Sequence, residues 1–597
     1  MSTPNPAWSI ARHLLSRATE WVDHKVGWHR LPAPLGLLVL VGVRDTLREQ
    51  NLHDTETAPD PPPPPADASV TTRRSVDGTY NDLDRPMMGS AGRRFGRNVN
   101  PAHGQPETDT LLTPNPRLIS RRLMTRDTFQ PATSLNLLAA TWIQFMVKDW
   151  ISHGSGDATR PHTLDLADDD PWPAEGRPMI IPSITPDPTS PKGLTAFLNE
   201  NTPWWDASSI YGDTAQQQQR IRGPRGTLDL DLMGLLTTPT DPDTDPARVP
   251  GFWAGLATMG AIFALEHNAV CAALEDANPQ WDDDELYQRA RLVISALIAK
   301  IHTVQWTPAL LAHPTTVAAL RANWYGLAGQ RIKDTVGRIS RNEVISGIAG
   351  GHTDHFGVPY TLTEEFTIVY RMHPLIPDDY QIRSWRTDDP LSKHTLADLT
   401  GAAGRDLLAS LDMTDVLYSF GCSHPGAIVL HNFPRLLQQF TRPDGKITDL
   451  AATDILRTRE LGVPRYNEFR RQLHLPAARD YADLTDDPAT QAALADLYDD
   501  IEQVDTIVGM FAERRPDGFA FSDTAFRIFV LMASRRLNSD RFFTDYFTPE
   551  VYSPVGYRWV VDNDFTSVLL RHWPQLRSTL AGVANPFAPW RPAAARR

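Results

Sequence analysis

The chain has 597 residues, with 58 Lys and Arg against 72 Asp and Glu, and a formal net charge of −14. With 41% hydrophobic and 22% charged residues it can bury a large core and is neither disordered nor fibrous. The acidic balance lacks the basic face that nucleic acid requires, which excludes that class of partner.

The opening MSTPNPAWSIARHLLSRATEW lacks the charged start, apolar run and small-residue cleavage site of a signal peptide. Leu35 to Val43 is apolar but too short to span a bilayer, which takes ~20 residues. The expectation is a cytoplasmic protein, with peripheral membrane contact by the N-terminal segment left open. Residues 8–52 read as two helices parted near Pro32 and Pro34, followed by the extended spacer PDPPPPPAD at 59–67. This divides the chain into an N-terminal helical segment with its Pro-rich spacer (1–66) and one large domain (67–597). Helical patterns follow at 134–152, 251–277, 284–313, 361–373, 402–420, 424–441, 487–513 and 522–543, with prolines mostly between them. The expected class is mainly α. Two cysteines, Cys271 and Cys422, exclude a disulfide-stapled scaffold and any cluster held by cysteines alone, and leave room for one bridge.

Four stretches carry chemistry. SLNLLAATWIQFMVKDWISHG (134–154) is apolar nearly all round, as a central helix is, yet carries Gln144 and Lys148 on one stripe with Leu137, Thr141 and Ile151. Either Lys148 reaches a partner carboxylate or the stripe faces a cavity with a polar or metal centre. In TLTEEFTIVYRMHPLIPD (361–378), Thr361 and Glu364 fit a capping box, and Pro374 ends a helix near His373. Tyr370 and His373 then share a face, as a hydrogen-bonded core pair or as a metal ligand beside an oxidisable phenol. ATDILRTRELGVPRYNEFRR (452–471) puts Asp454 on the face of Arg457, a guanidinium able to pair with a buried carboxylate or a cofactor's acid groups. In SDTAFRIFVLMASRRLNSDRFF (522–543), one of Arg535 and Arg536 is expected to reach inward. His352 and His355 form an HxxH, more simply read as part of a glycine-rich loop. No phosphate loop, dinucleotide fingerprint or nucleophile elbow is present.

These stretches, with GLLVLVGVRDTLREQNLHD, FGRNVNP, NTPWWDASSIYG, AKIHTVQWTPALL and VPRYNEFRR, resemble the fatty-acid α-dioxygenases of the haem peroxidase–cyclooxygenase superfamily along nearly the whole chain. The resemblance implies a single, mainly α, haem peroxidase-like domain around haem b, with an N-terminal helical extension. It implies His373 as the iron ligand, Tyr370 as the radical residue, and His302, Thr307 and Arg536 as holders of the substrate carboxylate. Arg457 would pair with a haem propionate, and Asp454 would hydrogen-bond the proximal His373 and make it a stronger donor. Calcium is implied at Asp149, Thr202, the Trp204 carbonyl, Asp206 and Ser208, all oxygen donors suited to a hard cation. In the implied reaction a peroxide activates the haem and Tyr370 is oxidised. A hydrogen leaves carbon 2 of a fatty acid, and O2 adds to give a 2-hydroperoxy acid, which can lose CO2 to an aldehyde.

One position departs from the family. A distal histidine belongs four residues after Gln144, and this chain has Lys148 there. A lysine of ordinary pKa, ~10.4, is a poor proton acceptor at neutral pH, whereas peroxide activation needs a base. Burial could make its amine the base; the amine could ligate iron; or the ammonium could donate to bound oxygen species. The readings are therefore a fatty-acid α-dioxygenase, a peroxidase-like oxidase of another carboxylate, or a non-catalytic haem-binding protein with Lys148 on the iron.

Overall fold

The computed structural model describes residues 17–56, 59–231, 234–236, 251–441 and 445–593. Residues 8–16 of the first expected helix lie outside them. Residues 17–26 are helical, and helix α1 (Ala33–Gln50) follows after a turn at Trp28–Arg30. Pro34 sits in the first turn of α1, where its missing N–H costs nothing. Val39, Leu40, Val43 and Leu47 form its inner stripe. Trp28 packs 5.5 Å from Phe519 and 5.3 Å from Phe526, so this segment shares its core with the C-terminal half of the chain.

The centre is helical. Helix α2 (Leu138–Trp150) is buried except along Gln144, Val147 and Lys148. Helix α3 (Ala254–Ala277) is long and apolar enough to cross a membrane, but Met259, Ile262 and Phe263 are fully buried in the protein's own core. Gly255 lets α3 approach α2: a Cβ there would stand 2.7 Å from the Thr141 methyl. Helix α4 (Asp283–Ile301) is capped by Asp282, which accepts from the Glu285 N–H at 2.8 Å, and every residue from Leu286 to Ile301 is buried. Around this centre lie α5 (Pro314–Tyr325), α6 (Glu364–Val369), α7 (Leu450–Glu460) and α8 (Asp523–Ser539). Strands among the described residues form four two-stranded antiparallel ribbons. The longest pairs Asp157–Leu164 with Met179–Ser183 in the register Leu164 to Met179 and His162 to Ile181. The mainly α expectation holds.

Several expected helices are broken. The 284–313 pattern is α4, then a π turn at His302–Trp306, then Thr307–Leu310. Pro308 has no N–H for the Val304 carbonyl, and a widened turn accommodates it. The patterns at 402–420 and 487–513 each split in two, as Gly401–Ala409 with Met413–Cys422, and Pro488–Leu497 with Thr506–Ala512. Residues 424–441 are largely irregular: His431 takes a φ of 54°, and the Asn432 side chain bonds the Gln130 and Ala427 carbonyls. At 361–373 the N-cap is Thr363, accepting from the Phe366 N–H, while Thr361 bonds the Arg94 carbonyl. α6 ends at Val369, so Tyr370 is its C-cap and His373 opens a separate short turn; they do not share a helix face. Cys271 and Cys422 form no disulfide.

Candidate active site

Tyr370 lies between two phenyl rings, Phe366 at 4.5 Å and Phe529 at 4.6 Å, with Trp150 edge-on at 6.2 Å. Burial pushes the phenol above its ordinary value of 10.0, against the opposing pull of Arg536, so the ring is protonated at neutral pH. The π turn brings His302 and Thr307, five residues apart, together: the Thr307 hydroxyl donates to the His302 carbonyl at 2.8 Å. His302 stacks on Trp306 at 4.6 Å and takes a hydrogen bond on Nδ1 from Trp142 Nε1 at 3.0 Å. Indole can only donate, which assigns the imidazole proton to Nε2. Burial, reinforced by the Arg536 charge, holds His302 well below 6.5. It is a neutral donor.

Arg535 and Arg536 of α8 are both buried, where one of the two was expected to be. Arg535 Nη2 donates to the Val358 and Pro359 carbonyls at 2.8 and 2.9 Å. Arg536 has only two long contacts, 3.4 Å to the Tyr360 hydroxyl and 3.3 Å to the Pro203 carbonyl. Its guanidinium lies 3.5 Å over Trp150 and 4.5 Å over Trp205, the same two indoles that edge His302 at 5.6 and 5.3 Å. Among the described residues no carboxylate pairs with it. A guanidinium 1% exposed and without a counter-ion is a receptor for an anion. From Thr307 and Phe529 an apolar cavity of 350 Å³ runs outward between α1, α5 and α8, a volume typical of small-ligand sites.

His373 turns Nδ1 to Asp454 Oδ2 at 2.7 Å, leaving Nε2 for a ligand, and the other Asp454 oxygen takes Arg371. Burial opposes ionisation of Asp454, but His373 and Arg371 outweigh it and hold the carboxyl below its ordinary value. An imidazole oriented by a carboxylate, with its second nitrogen free, is the donor set that haem iron takes. Arg457 is engaged by Glu460 and by the Pro182 carbonyl. On α2, Gln144 Nε2 donates to the Gly251 carbonyl at 2.9 Å, and the Lys148 ammonium lies 5.9 Å over the Phe252 ring. Lys148 is exposed at its tip, and desolvation of its amine lowers its pKa from 10.5, with Asp213 opposing. Leu137 and Thr141, expected on the same stripe, are buried.

In the last turn of α2, burial pushes the Asp149 carboxyl up to about 7, with Asp206 adding to the shift. Asp206 is also raised by burial, against Arg74 at 3.2 Å. Thr202 Oγ1 bonds Asp206 and accepts from the Trp204 N–H at 3.2 Å. The chain turns at Ala207 with a φ of 55°, and Ser208 Oγ is buried without a hydrogen-bond partner among the described residues. Two desolvated carboxylates beside an orphaned hydroxyl fit a hard cation. His352 and His355 do not converge on a metal: each pairs at 2.9 Å with its own carboxylate, Asp545 and Asp82.

Sequence reasoning missed Trp142, which sets the His302 tautomer, Arg371, which shares Asp454, and the two indoles that bracket Arg536. Arg371 was legible as the cation between Tyr370 and His373. The tryptophans come from distant segments and carried no local signal.

The animal haem peroxidase family model matches residues 73–583. "Alpha-dioxygenase PIOX" of Nicotiana tabacum is 38% identical, covering 98% of this chain and 92% of its own. The protein of the same name from Pisum sativum is 39% identical, over 94% of this chain and 89% of its own. The crystal structure of Oryza sativa fatty acid alpha-dioxygenase superposes with a TM-score of 0.89 at 34% identity, covering 97% of both chains; a Tyr-to-Phe form of it with palmitic acid matches equally. The chain belongs to the animal haem peroxidase family and, within it, to the α-dioxygenases.

Proposed function

We propose that this protein oxygenates carbon 2 of a fatty acid, as the names of its relatives state for them, with Tyr370 as the hydrogen-abstracting group. The observation that carries this reading is the buried Arg536, with no carboxylate paired to it among the described residues, which shares the Trp150 and Phe366 rings with Tyr370, while Phe529, stacked on Tyr370, lines an apolar cavity. That geometry suits a ligand with one anionic head and an alkyl tail. Haem, held through His373 Nε2, supplies when bound and activated by peroxide the oxidising equivalent that converts the Tyr370 phenol to its radical.

The rest is work for this chain's own residues. The carboxylate pairs with the Arg536 fork and accepts from His302 Nε2–H. A carboxylate cannot donate, so Thr307 joins the anchor by turning its hydroxyl away from the His302 carbonyl. With the head fixed, carbon 2 stands at the phenoxyl oxygen, and such positioning contributes several kcal/mol. The radical takes a hydrogen atom from carbon 2, breaking C–H and forming O–H on Tyr370. O2 adds to the carbon radical, and the peroxyl so formed takes a hydrogen atom back from the Tyr370 hydroxyl. The product is the 2-hydroperoxy acid, and the tyrosyl radical is restored. Phe366 and Phe529 keep water from the phenol while it is oxidised.

Lys148 handles the peroxide activator in this reading. Desolvation lowers its pKa, in the direction a base needs, and Gln144 lies one turn earlier on the same stripe of α2. Arg457 would take a propionate by sharing its charge with Glu460. Calcium at Asp149, Thr202, Trp204, Asp206 and Ser208 would pin the end of α2 to the 202–208 loop.

The test is oxygen uptake by haem-loaded protein with fatty acids of twelve to eighteen carbons, beside Tyr370→Phe. Uptake that vanishes in the Phe form while the haem spectrum persists is the expected result. Uptake that survives the exchange would overturn the role given to Tyr370.

A further inference from the structure

The cavity that ends at Thr307 and Phe529 opens at a face the reaction does not use. Leu38 of α1, and Leu327 and Val344 from the connection after α5, line the cavity near that face. Leu38 and Leu327 are also 48% and 57% exposed. Of fourteen large apolar side chains exposed among the described residues, seven fall in 35–38 and 327–345, so exposure here is concentrated rather than scattered. Between Leu327 and Val344 runs a short helix, Gln330–Val336, with no buried residue at all. Its Ile332 and Val336, one turn apart, are 44% and 69% exposed. Lys333 ties this helix to the body, donating to the Trp324 carbonyl at 2.6 Å and the Ala349 carbonyl at 2.8 Å.

We propose that this face docks on an anionic lipid bilayer, so that the cavity mouth receives its fatty acid from the membrane; the inference rests on the fatty-acid reading above. Three observations select a bilayer as the occupant. The apolar rim is continuous with a cavity whose ligand is itself a membrane component. The segment 327–345 is locally basic through Arg331 and Arg341, both exposed, and Arg338 beside them, on a chain whose net charge is −14. Burial lowers Lys333 to about 7, so it adds part of a charge, and of the two acids Asp334 and Glu343 the second is already paired with Arg44 and Arg48. An anionic surface therefore repels the molecule as a whole and attracts this face, which sets the orientation of approach. A second copy seated here about a two-fold axis would set those like charges against each other. Ile332 and Val336 reach the boundary between headgroups and acyl chains, as the apolar side of an interfacial helix does.

The experiment is flotation of haem-loaded protein with vesicles of phosphatidylcholine alone or with one-third phosphatidylglycerol. Wild type is expected to float with the anionic vesicles, and Ile332→Glu/Val336→Glu to bind them about tenfold more weakly or less. Both positions are exposed, so the pair folds; Leu391→Glu, at an exposed leucine on the Pro390–Thr395 strand, should float as wild type does. Uptake with dissolved dodecanoate is expected to stay unchanged in the double variant, and uptake with palmitate presented in vesicles to fall. Wild type remaining below the gradient, or floating equally after the double exchange, overturns the docking surface. So does a dimer in sedimentation that the double variant disperses. Flotation by a protein that oxygenates no acid supports the surface and overturns the fatty-acid reading alone.

Discussion

Replacing Arg536 by methionine separates its anchoring role from a structural one, because the two predict opposite changes. The guanidinium is 1% exposed and, among the described residues, makes only two hydrogen bonds, of 3.4 and 3.3 Å, and has no counter-ion. A carboxylate at about 4 Å from it, at an effective dielectric of ~20, gains about 4 kcal/mol of Coulomb energy. A hydrogen bond to a charged group contributes about 1.5–3 kcal/mol net. Loss of roughly 2–4 kcal/mol corresponds to a fall of about 30- to 700-fold in kcat/KM. Methionine keeps the length of the stem against Trp150 and removes a desolvated, unpaired charge, so the fold should lose nothing and gain if anything. The expected result is a large fall in kcat/KM for oxygen uptake, with Tm unchanged or raised by about a degree or two. A fall in Tm of several degrees with KM for the acid intact would refute the reasoning and make Arg536 a structural residue.

Lys148→His should raise peroxide-dependent oxygen uptake, since an imidazole of ordinary pKa ~6.5 is a better proton acceptor at neutral pH than the amine. An unchanged Soret spectrum with unchanged uptake would remove Lys148 from the haem cleft. Asp454→Asn should raise the midpoint potential of bound haem, because His373 loses a charged acceptor and donates less to iron; each tenfold change in relative affinity of the two oxidation states is ~59 mV. Arg371→Leu should lower the potential by releasing Asp454 wholly to His373. Chelation should lower Tm more at pH 8 than at pH 5. Without a cation the Asp149 carboxyl stands at about 7, above its ordinary 3.8, so the stability it allows when protonated is lost as pH rises through 7. Bound calcium removes that loss, and a chelator effect of equal size at both pH values would argue against Asp149 as a ligand.

The helical class was legible because it rests on local strings: α2, α3, α4 and α8 have long apolar periodicity, and the candidate pair Tyr370 and His373 lies within four residues. What was not legible depends on the third dimension. The 424–441 segment has apolar spacing like a helix, but Asn432 gives its amide to loop carbonyls instead. The capping box at Thr361 had the right letters two positions early, and Thr363 won because Thr361 is held by Arg94. Most consequential is the π turn at His302–Trp306. A continuous helix would rotate Thr307 about 500° from His302, well off its face, whereas the widened turn brings the two together. The string WTP held that signal in Pro308.

That turn shows how the site is built at the expense of local preference. A regular helix, a paired arginine and a solvated histidine would each suit the fold better than what stands there. The chain instead places a π turn, an uncompensated Arg536 and a neutral His302 within reach of the same two indoles, Trp150 and Trp205. Each departure taken alone resembles a defect. Together they leave a guanidinium with no carboxylate partner among the described residues and a neutral imidazole against the same two indoles, near a phenol with aromatic walls. An anionic head suits both Arg536 and His302, and an apolar tail suits the cavity lined by Thr307 and Phe529. The large core of α2, α4 and α8 holds that mismatch in place, so substrate affinity here arises from the release of a frustration built into the fold.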